Sequence, residues 1–288
     1  MAGVQYLETV TALLQRARKA HPTKGLFEAA DLQWWWRTPR STDSIGQLFW
    51  FDDHGRPEAA VIATAWSSHT SLCPIVMPDA TPDWVAHVVD RGLAHARESG
   101  SGTIELEADR DDDILREVLV SRGFTIEEED AMVESWIAAD ARPEVSVLHE
   151  EYRLASRSET MPSPHHMISR NGPDVAYRLV QTSLYRPGLD LVILDREGHP
   201  AAYGLFWHDP ETATGLVEPM RTEVAHQRRG LARHVLTAGI DLLANAGAER
   251  IKICFEPSNP ASSALYLSVG FVPVKQTVVF TGHTGNRT

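Results

Sequence analysis

The segment from Gln227 to Ala232 has the composition of a phosphate-binding turn. Gly230 has no Cβ, so a ligand can approach the main chain closely there, and Ala232 is nearly as small. The apolar run that follows predicts a helix. The first amides of a helix lack internal partners and, together with the helix dipole, form an anion site. Positive charge surrounds the same turn, from Arg228, Arg229 and Arg233. The alternative is an ordinary loop that contains a glycine.

A second pair of residues follows further along the chain. Asn259 and Tyr266 are seven residues apart, which is two helical turns, so they share one face of a helix that leads into Gly270-Phe271. The turn and this pair, in this order, resemble the motifs of the GCN5-related N-acetyltransferase (GNAT) superfamily. The resemblance covers roughly residues 150–281. In one departure, the last small residue of the turn is usually glycine in the family and is Ala232 here.

The resemblance implies acetyl-CoA as the co-substrate and assigns its contacts. The turn holds the pyrophosphate, the preceding strand is bulged at Pro219, and its main chain pairs with the pantetheine arm. Asn259 lies near that arm, and Tyr266 protonates the departing thiolate. The predicted coenzyme-binding residues are Met220, Arg221, Thr222, Arg228, Arg229, Gly230, Leu231, Ala232, Arg233 and Asn259. Without the family resemblance, Pro219 could equally well be a proline on an edge strand. The corresponding alternative for Tyr266 is a half-buried core tyrosine.

The general base is less well marked. Acetyl transfer requires a neutral amine, so a base must remove a proton directly or through water. Glu218 lies on the bulged strand next to the expected acetyl position, and Glu256 ends the following strand. The family often places a glutamate five residues before the Asn, where this chain has Cys254. We favour Glu218 over Glu256; either carboxylate could instead be a surface group paired with an arginine.

Other reactive residues are given structural roles. Cys254 lies in an apolar strand, which is typical of an inert core thiol rather than a nucleophile. His165 and His166 are adjacent, which is not the spacing of a tetrahedral metal site, so we expect a surface loop and no metal. His226 is expected to cap the phosphate turn.

The order of predicted elements repeats along the chain. The first half predicts two helices, three strands, a helix, a strand, a helix and a strand, and residues 174–281 predict nearly the same order from one helix onward. The fold class is therefore mixed α/β, with two tandem acetyltransferase-like domains, each a twisted, mostly antiparallel sheet flanked by helices. The predicted boundaries are 1–140 for the first domain, 141–150 for a linker, 151–281 for the acetyl-CoA-binding domain and 282–288 for a disordered tail.

The first copy lacks the coenzyme motifs. Between its third strand and the next helix it has Met77-Pro78-Asp79-Ala80-Thr81-Pro82, with no glycine. The two prolines have no amide hydrogen to offer a phosphate, and Asp79 would repel it. No Asn and Tyr pair precedes Gly123-Phe124. The first domain is therefore predicted to be degenerate and unable to hold the coenzyme in the way of the family.

Predicted helices cover 5–19, 28–36, 82–98, a start at 111–113, 173–183, and starts at 230 and 261. Predicted strands cover 47–51, 59–66, 72–77, 104–107, a strand ending near 137, 189–195, 201–208, 212–222, 251–255 and 271–280. The helix over 28–36 ends in three tryptophans, Trp34, Trp35 and Trp36. These either line a substrate groove or pack in a core.

Charge and composition limit the partners. The formal net charge is −12, with 26 acidic and 13 basic residues in positions 1–150 against 13 and 14 in positions 151–288. An acidic chain lacks the basic footprint of a nucleic-acid-binding protein. The acidic half is a solvated surface or attracts a cationic amine substrate. No apolar run is long enough to span a membrane, and the sequence leaves the oligomeric state open.

The chain has two cysteines, far apart, so no disulfide framework is expected and a cytoplasmic location is the default. The leading function is an acetyl-CoA-dependent N-acetyltransferase acting on a small cationic primary amine. The alternatives are a non-catalytic acyl-CoA-binding protein and an acetyltransferase for a protein amine. Retention of Tyr266 beside the coenzyme motifs favours an enzyme, since binding alone does not need a proton donor.

Overall fold

A computed structural model describes residues 1–100, 102–127 and 132–283. The chain forms two compact units. The first contains residues 1–32, 39–132 and 275–288, and the second contains residues 33–38 and 133–274.

The first unit begins with two helices and continues as an alternation of strands and helices. Its helices are α1 (Val4–Ala20), α2 (Ala29–Trp35, which runs into the second unit), α3 (Pro82–Glu98) and α4 (Asp113–Ser121). Its strands are β1 (Leu48–Phe51), β2 (Pro57–Ala65), β3 (Thr70–Val76), β4 (Thr103–Asp109) and β5 (Thr125–Glu127).

The second unit starts with a strand and has three short helices before its sheet. Its strands are β6 (Val133–Ala138), β7 (Arg153–Ser156), β8 (Asp190–Leu194), β9 (Pro200–Asp209), β10 (Thr214–Thr222) and β11 (Arg250–Phe255). Its helices are α5 (Arg157–Thr160), α6 (Ile168–Asn171), α7 (Val175–Leu179), α8 (Leu231–Asn245) and α9 (Pro260–Val269). The last strand of the chain is β12 (Val272–His283).

The two sheets share one connectivity. In the first unit β1, β2 and β3 pair antiparallel, and β3 then pairs in parallel with β4 after the crossover helix α3. In the second unit β7, β8, β9 and β10 pair antiparallel, and β10 pairs in parallel with β11 after the crossover helix α8. The predicted class, a mixed and mostly antiparallel sheet flanked by helices, is confirmed.

The last strand of each half of the sequence pairs with the sheet of the other half. Strand β6 pairs with β11 in the second unit, and residues 277–283 of β12 pair with β4 in the first. The compact units therefore differ from the contiguous ranges 1–140 and 151–281, because each sheet is completed by a strand from the other half of the sequence.

The crossover helices pack closely on their sheets. A Cβ added at Gly239 of α8 would lie 2.0 Å from the ring of Phe206 on β9, so this helix approaches its sheet at a residue without a side chain. A Cβ at Gly92 of α3 would lie 2.8 Å from Val61 on β2. Each helix buries an apolar face over its sheet, and this packing holds the strand ends where the candidate site forms.

Several predicted elements differ in detail. The helix predicted over 173–183 ends at Leu179, because the amides of Gln181 and Thr182 bond to carbonyls three residues back. Strand β7 and helices α5 and α6 were not predicted. Gly282 and His283, predicted to be in a disordered tail, belong to β12, and the rest of that tail, 284–288, lies outside the described residues.

In the linker predicted over 141–150, a short 3₁₀ helix (Ala139–Ala141) ends at the first residue, and residues 142–150 have no helix or strand. Of the helices in the described ranges, none has the length and hydropathy needed to cross a bilayer.

Candidate active site

Helix α8 begins with free amides. Gly230 is its N-cap residue, with φ of 77° and no capping side chain. The first intrahelical bond runs from the His234 amide to the Gly230 carbonyl at 3.0 Å. The amides of residues 231–233 donate to no acceptor within the described ranges. A Cβ added at Gly230 would meet no atom within 4 Å, so the space in front of these amides is open.

The arginines of this turn are held differently. Arg228 is exposed and has φ of 63°. Arg229 Nη1 donates to the hydroxyl of Tyr152 at 2.9 Å, and Arg233 Nη1 donates to Ser268 Oγ at 2.8 Å. Two of the three guanidinium groups are therefore oriented by residues of the same unit before any ligand binds.

Tyr152 was missed at the sequence level. Its hydroxyl lies 3.1 Å from His226 Nδ1, and His226 Nε2 lies 3.8 Å from Asp195. Asp195, His226, Tyr152 and Arg229 thus form a chain of polar contacts that ends at the phosphate turn. His226, predicted to cap the turn, directs its side chain to Tyr152 and Asp195 instead. No motif spacing marks Tyr152, because its contact with Arg229 spans 77 positions.

Strands β10 and β11 separate after a short parallel stretch. They pair only at Thr214–Leu216 with Arg250–Lys252. The partner register of β10 with β9 shifts between Val217 and Met220, so Glu218 and Pro219 form a bulge, as predicted. The second half of β10 is therefore paired on the β9 side and unpaired with β11.

Beyond the bulge, the main-chain N–H and C=O groups of alternate β10 residues point to β9 and to the split between β10 and β11. The Glu223 amide donates to the Ala201 carbonyl at 2.9 Å. Because successive residues of an antiparallel pair alternate in direction, the main-chain groups of Arg221 also point to β9. Those of Met220 and Thr222 point to the split. Of the three residues predicted to pair with pantetheine, two therefore offer their main chain to that side. The Thr222 hydroxyl is buried and makes no hydrogen bond within the described ranges.

The candidate bases lie at the mouth of the split. Glu218 is half-buried at the bulge, and its carbonyl accepts a hydrogen bond from Trp207 Nε1 at 2.8 Å. Glu256 is exposed, one residue after β11. Cys254 is exposed, which corrects the prediction of a core thiol. The neighbours Ile253 and Phe255 point to the core, so alternation along β11 turns Cys254 to the other face.

Asn259 is the N-cap residue of α9, and Tyr266 lies on the buried face of the same helix. The Asn259 side chain caps the helix by accepting from the Ser262 amide at 3.2 Å. Tyr266 is buried, and its ring contacts Phe255 and Phe271 at centroid distances of 5.6 and 6.4 Å. Burial raises the pKa of Tyr266 to about 12. Its hydroxyl is therefore protonated at neutral pH, as a proton donor must be.

The face of the sheet opposite α8 carries charged side chains around Tyr203. Arg221 lies directly across from Tyr203 in the β10–β9 pair. Arg170 Nη2 contacts Glu223 at 3.1 Å, and the ring of His166 lies 5.4 Å from that of Tyr203. Burial raises the pKa of Tyr203. The charge of Glu223 adds to the rise, and the charges of neighbouring arginines oppose it.

His165 and His166 are buried rather than in the predicted surface loop. Their Nε2 atoms lie 3.0 and 3.1 Å from the two carboxylate oxygens of Asp190, and Tyr185 donates to the same carboxylate at 2.8 Å. Burial acts to raise the pKa of Asp190, but the two histidines outweigh it and hold the pKa at about 2.

These three residues are close enough to share a cation. However, the Met167 amide donates to His165 Nδ1 at 3.2 Å. This leaves the proton of neutral His165 on Nε2, which then donates to Asp190 and has no lone pair for a metal. The cluster is better explained as a buried hydrogen-bond network that anchors the segment before α6 to β8.

Two of the three tryptophans pack within the second unit. Trp34 and Trp36 are buried, and Trp36 Nε1 donates to Gln181 at 2.8 Å. The guanidinium of Arg178 lies 4.1 Å from the Trp36 ring centroid. Of the two predicted roles, core packing describes Trp34 and Trp36, while Trp35 is half-buried.

Comparison with known families matches a large part of the second half of the chain. Residues 148–271 match the acetyltransferase (GNAT) family. The mycothiol acetyltransferase of Beutenbergia cavernae is 31% identical over 91 residues, which is 31% of this chain and 30% of that protein. The chain thus matches less than a third of the length of this relative.

Solved structures show the same fold over nearly the whole chain. A GCN5-related N-acetyltransferase from Sphaerobacter thermophilus gives a TM-score of 0.66 at 12% identity, covering 98% of this chain and 94% of that one. A tandem GNAT protein from the clavulanic acid biosynthesis pathway gives 0.69 at 12% identity, covering 99% and 95%. At these identities the likeness concerns the fold.

Proposed function

Because residues 148–271 match the acetyltransferase (GNAT) family, we propose that this protein transfers the acetyl group of acetyl-CoA to the primary amine of a small molecule that arrives as a cation. The observation that carries the proposal is the set of free amides at residues 231–233. They begin the helix that follows β10, a strand whose second half is not paired with β11.

The residues present fit a coenzyme with a pyrophosphate and an extended amide-containing arm. The three amides, the helix dipole and the space beside Gly230 suit an anion. Arg228, Arg229 and Arg233 supply the charge. The outward main-chain groups of Met220 and Thr222 suit an extended arm, and the unpartnered Thr222 hydroxyl lies at the same place. Bound there, acetyl-CoA supplies an activated acetyl group.

The chain supplies the proton transfers. An ammonium has no lone pair, so the acceptor must first lose a proton, and Glu218 at the bulge takes it directly or through water. The amine nitrogen then attacks the acetyl carbon, and as the carbon–sulfur bond breaks the nitrogen loses a second proton to solvent and becomes the amide. Tyr266, neutral because burial raises its pKa to about 12, gives a proton to the leaving sulfur. Asn259 caps α9 and so fixes the helix that carries Tyr266.

We further propose that the first unit binds no acetyl-CoA, since it has no glycine turn. The function is tested by release of free thiol from acetyl-CoA across a library of small amines, polyamines and peptides. Thiol release that depends on a small amine, with the acetylated amine found by mass spectrometry, is the expected result. Release only with peptides would make the acceptor a protein amine. Tight acetyl-CoA binding without release on any acceptor would make the protein a non-catalytic binder.

A further inference from the structure

Arg221 is a half-buried cation that the proposed coenzyme contacts do not use. Its Nε atom is sealed from solvent and makes no hydrogen bond, and the guanidinium forms no ion pair, within the described ranges. An arginine stays charged at any working pH. Leaving a buried charged donor unpaired is unfavourable, so the arrangement indicates a partner that the chain itself does not supply.

The partner is not the coenzyme pyrophosphate, because Arg221 points to the other face of the sheet. Met220 Sδ lies 3.0 Å from the Cβ position of Gly204, beside the Phe206 ring that packs under α8. Met220 therefore faces α8. Side chains alternate along a strand, so Arg221 faces away from α8 and its phosphate turn, towards Tyr203.

The surroundings of Arg221 favour an anion. Glu223 lies two residues along the same face, but its carboxylate is engaged by Arg170 Nε and Nη2 at 3.4 and 3.1 Å. Asp190 is fully buried and is held by Tyr185 and His165. Arg37, which also acts on the pKa of Tyr203, donates to Asn171 at 2.7 Å. The nearby carboxylates therefore bond to other residues, and Arg221 interacts with Glu223 only at a distance, through its charge.

We propose that Arg221 binds a carboxylate carried by the acceptor, so that the substrate is an amine that is also an acid. This rests on the proposed function and narrows its acceptor from a cationic amine to a zwitterion of the amino-acid class. The planar guanidinium matches a carboxylate in a two-bond arrangement. The bulge with Glu218 lies only three residues earlier on β10, which brings an amine on the same small molecule near the acetyl position.

The test compares amino acids with their carboxamides. Acetylation rates are measured for the L-α-amino acids, β-alanine and 4-aminobutanoate, each against its carboxamide, with spermidine as an amine without an acid. The wild type is expected to prefer acids by roughly 10- to 100-fold in kcat/KM, the range expected for a hydrogen bond to a charged group. Arg221→Met should remove that preference, and Arg221→Lys should restore part of it.

Arg196→Met is the matched control, because the Arg196 side chain is 69% exposed and its ion pair with Glu151 is a loose 3.5 Å. It should keep the wild-type preference. Equal rates for acids and amides, a preference that survives in Arg221→Met, or acetylation of spermidine alone would overturn the proposal.

If acetyl-CoA binds but no amine is acetylated, the proposed function is wrong. The proposed carboxylate site at Arg221 can still be tested by binding. Calorimetry with the same acids and carboxamides on the acetyl-CoA-loaded protein then gives the answer. Acids that bind the wild type but not Arg221→Met uphold the site, and absence of acid binding at millimolar concentration refutes it.

Discussion

Helices α3 and α8 begin at the same place in the connectivity of the two units. Their first residues differ in capping, in free amides and in charge, which are the features that bind a phosphate. At α3, the Thr81 hydroxyl accepts from the Trp84 amide at 3.3 Å, and the first helical residue, Pro82, has no amide hydrogen. At α8, Gly230 offers no capping side chain and three amides stay free. Asp79 and Asp83 flank the first start, whereas arginines surround the second.

The split between strands, in contrast, is common to both units. Strand β3 pairs with β4 only at Thr70 and Ser71, as β10 pairs with β11 only at its first three residues. In the first unit this region opens into a cavity of about 470 Å³. The split between strands therefore belongs to the fold, while the anion site depends on a few residues at the start of one helix.

The largest effect is expected from a charge placed at the α8 start. Gly230→Asp forces a left-handed backbone on a residue with a Cβ and puts a negative charge beside the pyrophosphate. Like-charge contact of several kcal/mol predicts a loss of acetyl-CoA affinity of roughly a thousandfold or more. The backbone strain of about 1–2 kcal/mol is present with and without the coenzyme, so it lowers stability rather than affinity. Gly55→Asp, at φ of 72° in an open turn of the first unit, is the matched control and should bind normally. Calorimetry showing equal losses in both variants would contradict a local effect.

Tyr266→Phe should lower kcat by about 10²–10⁴-fold, the usual range for general acid catalysis, with acetyl-CoA affinity nearly unchanged. The raised pKa of about 12 keeps the wild-type hydroxyl protonated throughout pH 6–9. The rate deficit should therefore be constant across that range. Tyr177→Phe, at a tyrosine that is 68% exposed, is the control. A deficit below about threefold would mean that water serves as the acid.

Glu218→Gln should produce a defect that depends on pH. Below the pKa of the acceptor amine, the substrate arrives protonated and the base is required, so a loss of about 10²-fold is expected. Above it, the free amine is abundant and the defect should shrink. Steady-state rates from pH 6 to 10 measure this. A defect equal at every pH would remove Glu218 from the role of base, and Glu256→Gln would then be examined in the same way.

Tyr152→Phe should give the smallest change. It removes the hydroxyl that orients Arg229 and leaves the charge in place, so acetyl-CoA affinity should fall by about 3- to 10-fold, the worth of one hydrogen bond. Arg229→Met should lose more, and the double variant should lose no more than Arg229→Met alone. Additive losses would show that Tyr152 acts independently of Arg229.

The fold was predictable where pattern and local chemistry agree. The strands around Asp195 and Pro219 and both crossover helices follow from alternation, turn residues and helix starts. The bulge was predicted from the family resemblance, because Pro219 by itself is equally compatible with an edge strand. Strand β7 and helices α5 and α6 were missed because they are only four residues long. The exchange of β6 and β12 was also missed, because strand pairing between distant segments leaves no local signal.

The candidate site was predictable along one local motif and not beyond it. Gly230, Asn259 and Tyr266 are marked by spacing. Tyr152, the Asp190 network and the unpartnered Arg221 are not, since each depends on contacts between segments far apart in sequence. The buried positions of His165 and His166 were predicted wrongly for the same reason: their partner, Asp190, lies some 25 positions away.

The most direct test of the difference between the two units is the number of acetyl-CoA molecules bound per chain. Isothermal titration of the full chain should give one site, and Gly230→Asp should abolish it. Exchange measurements by hydrogen–deuterium mass spectrometry should show protection by acetyl-CoA at residues 228–233 and none at residues 78–83. Two equivalent sites per chain, or protection at residues 78–83 that survives in Gly230→Asp, would contradict the account.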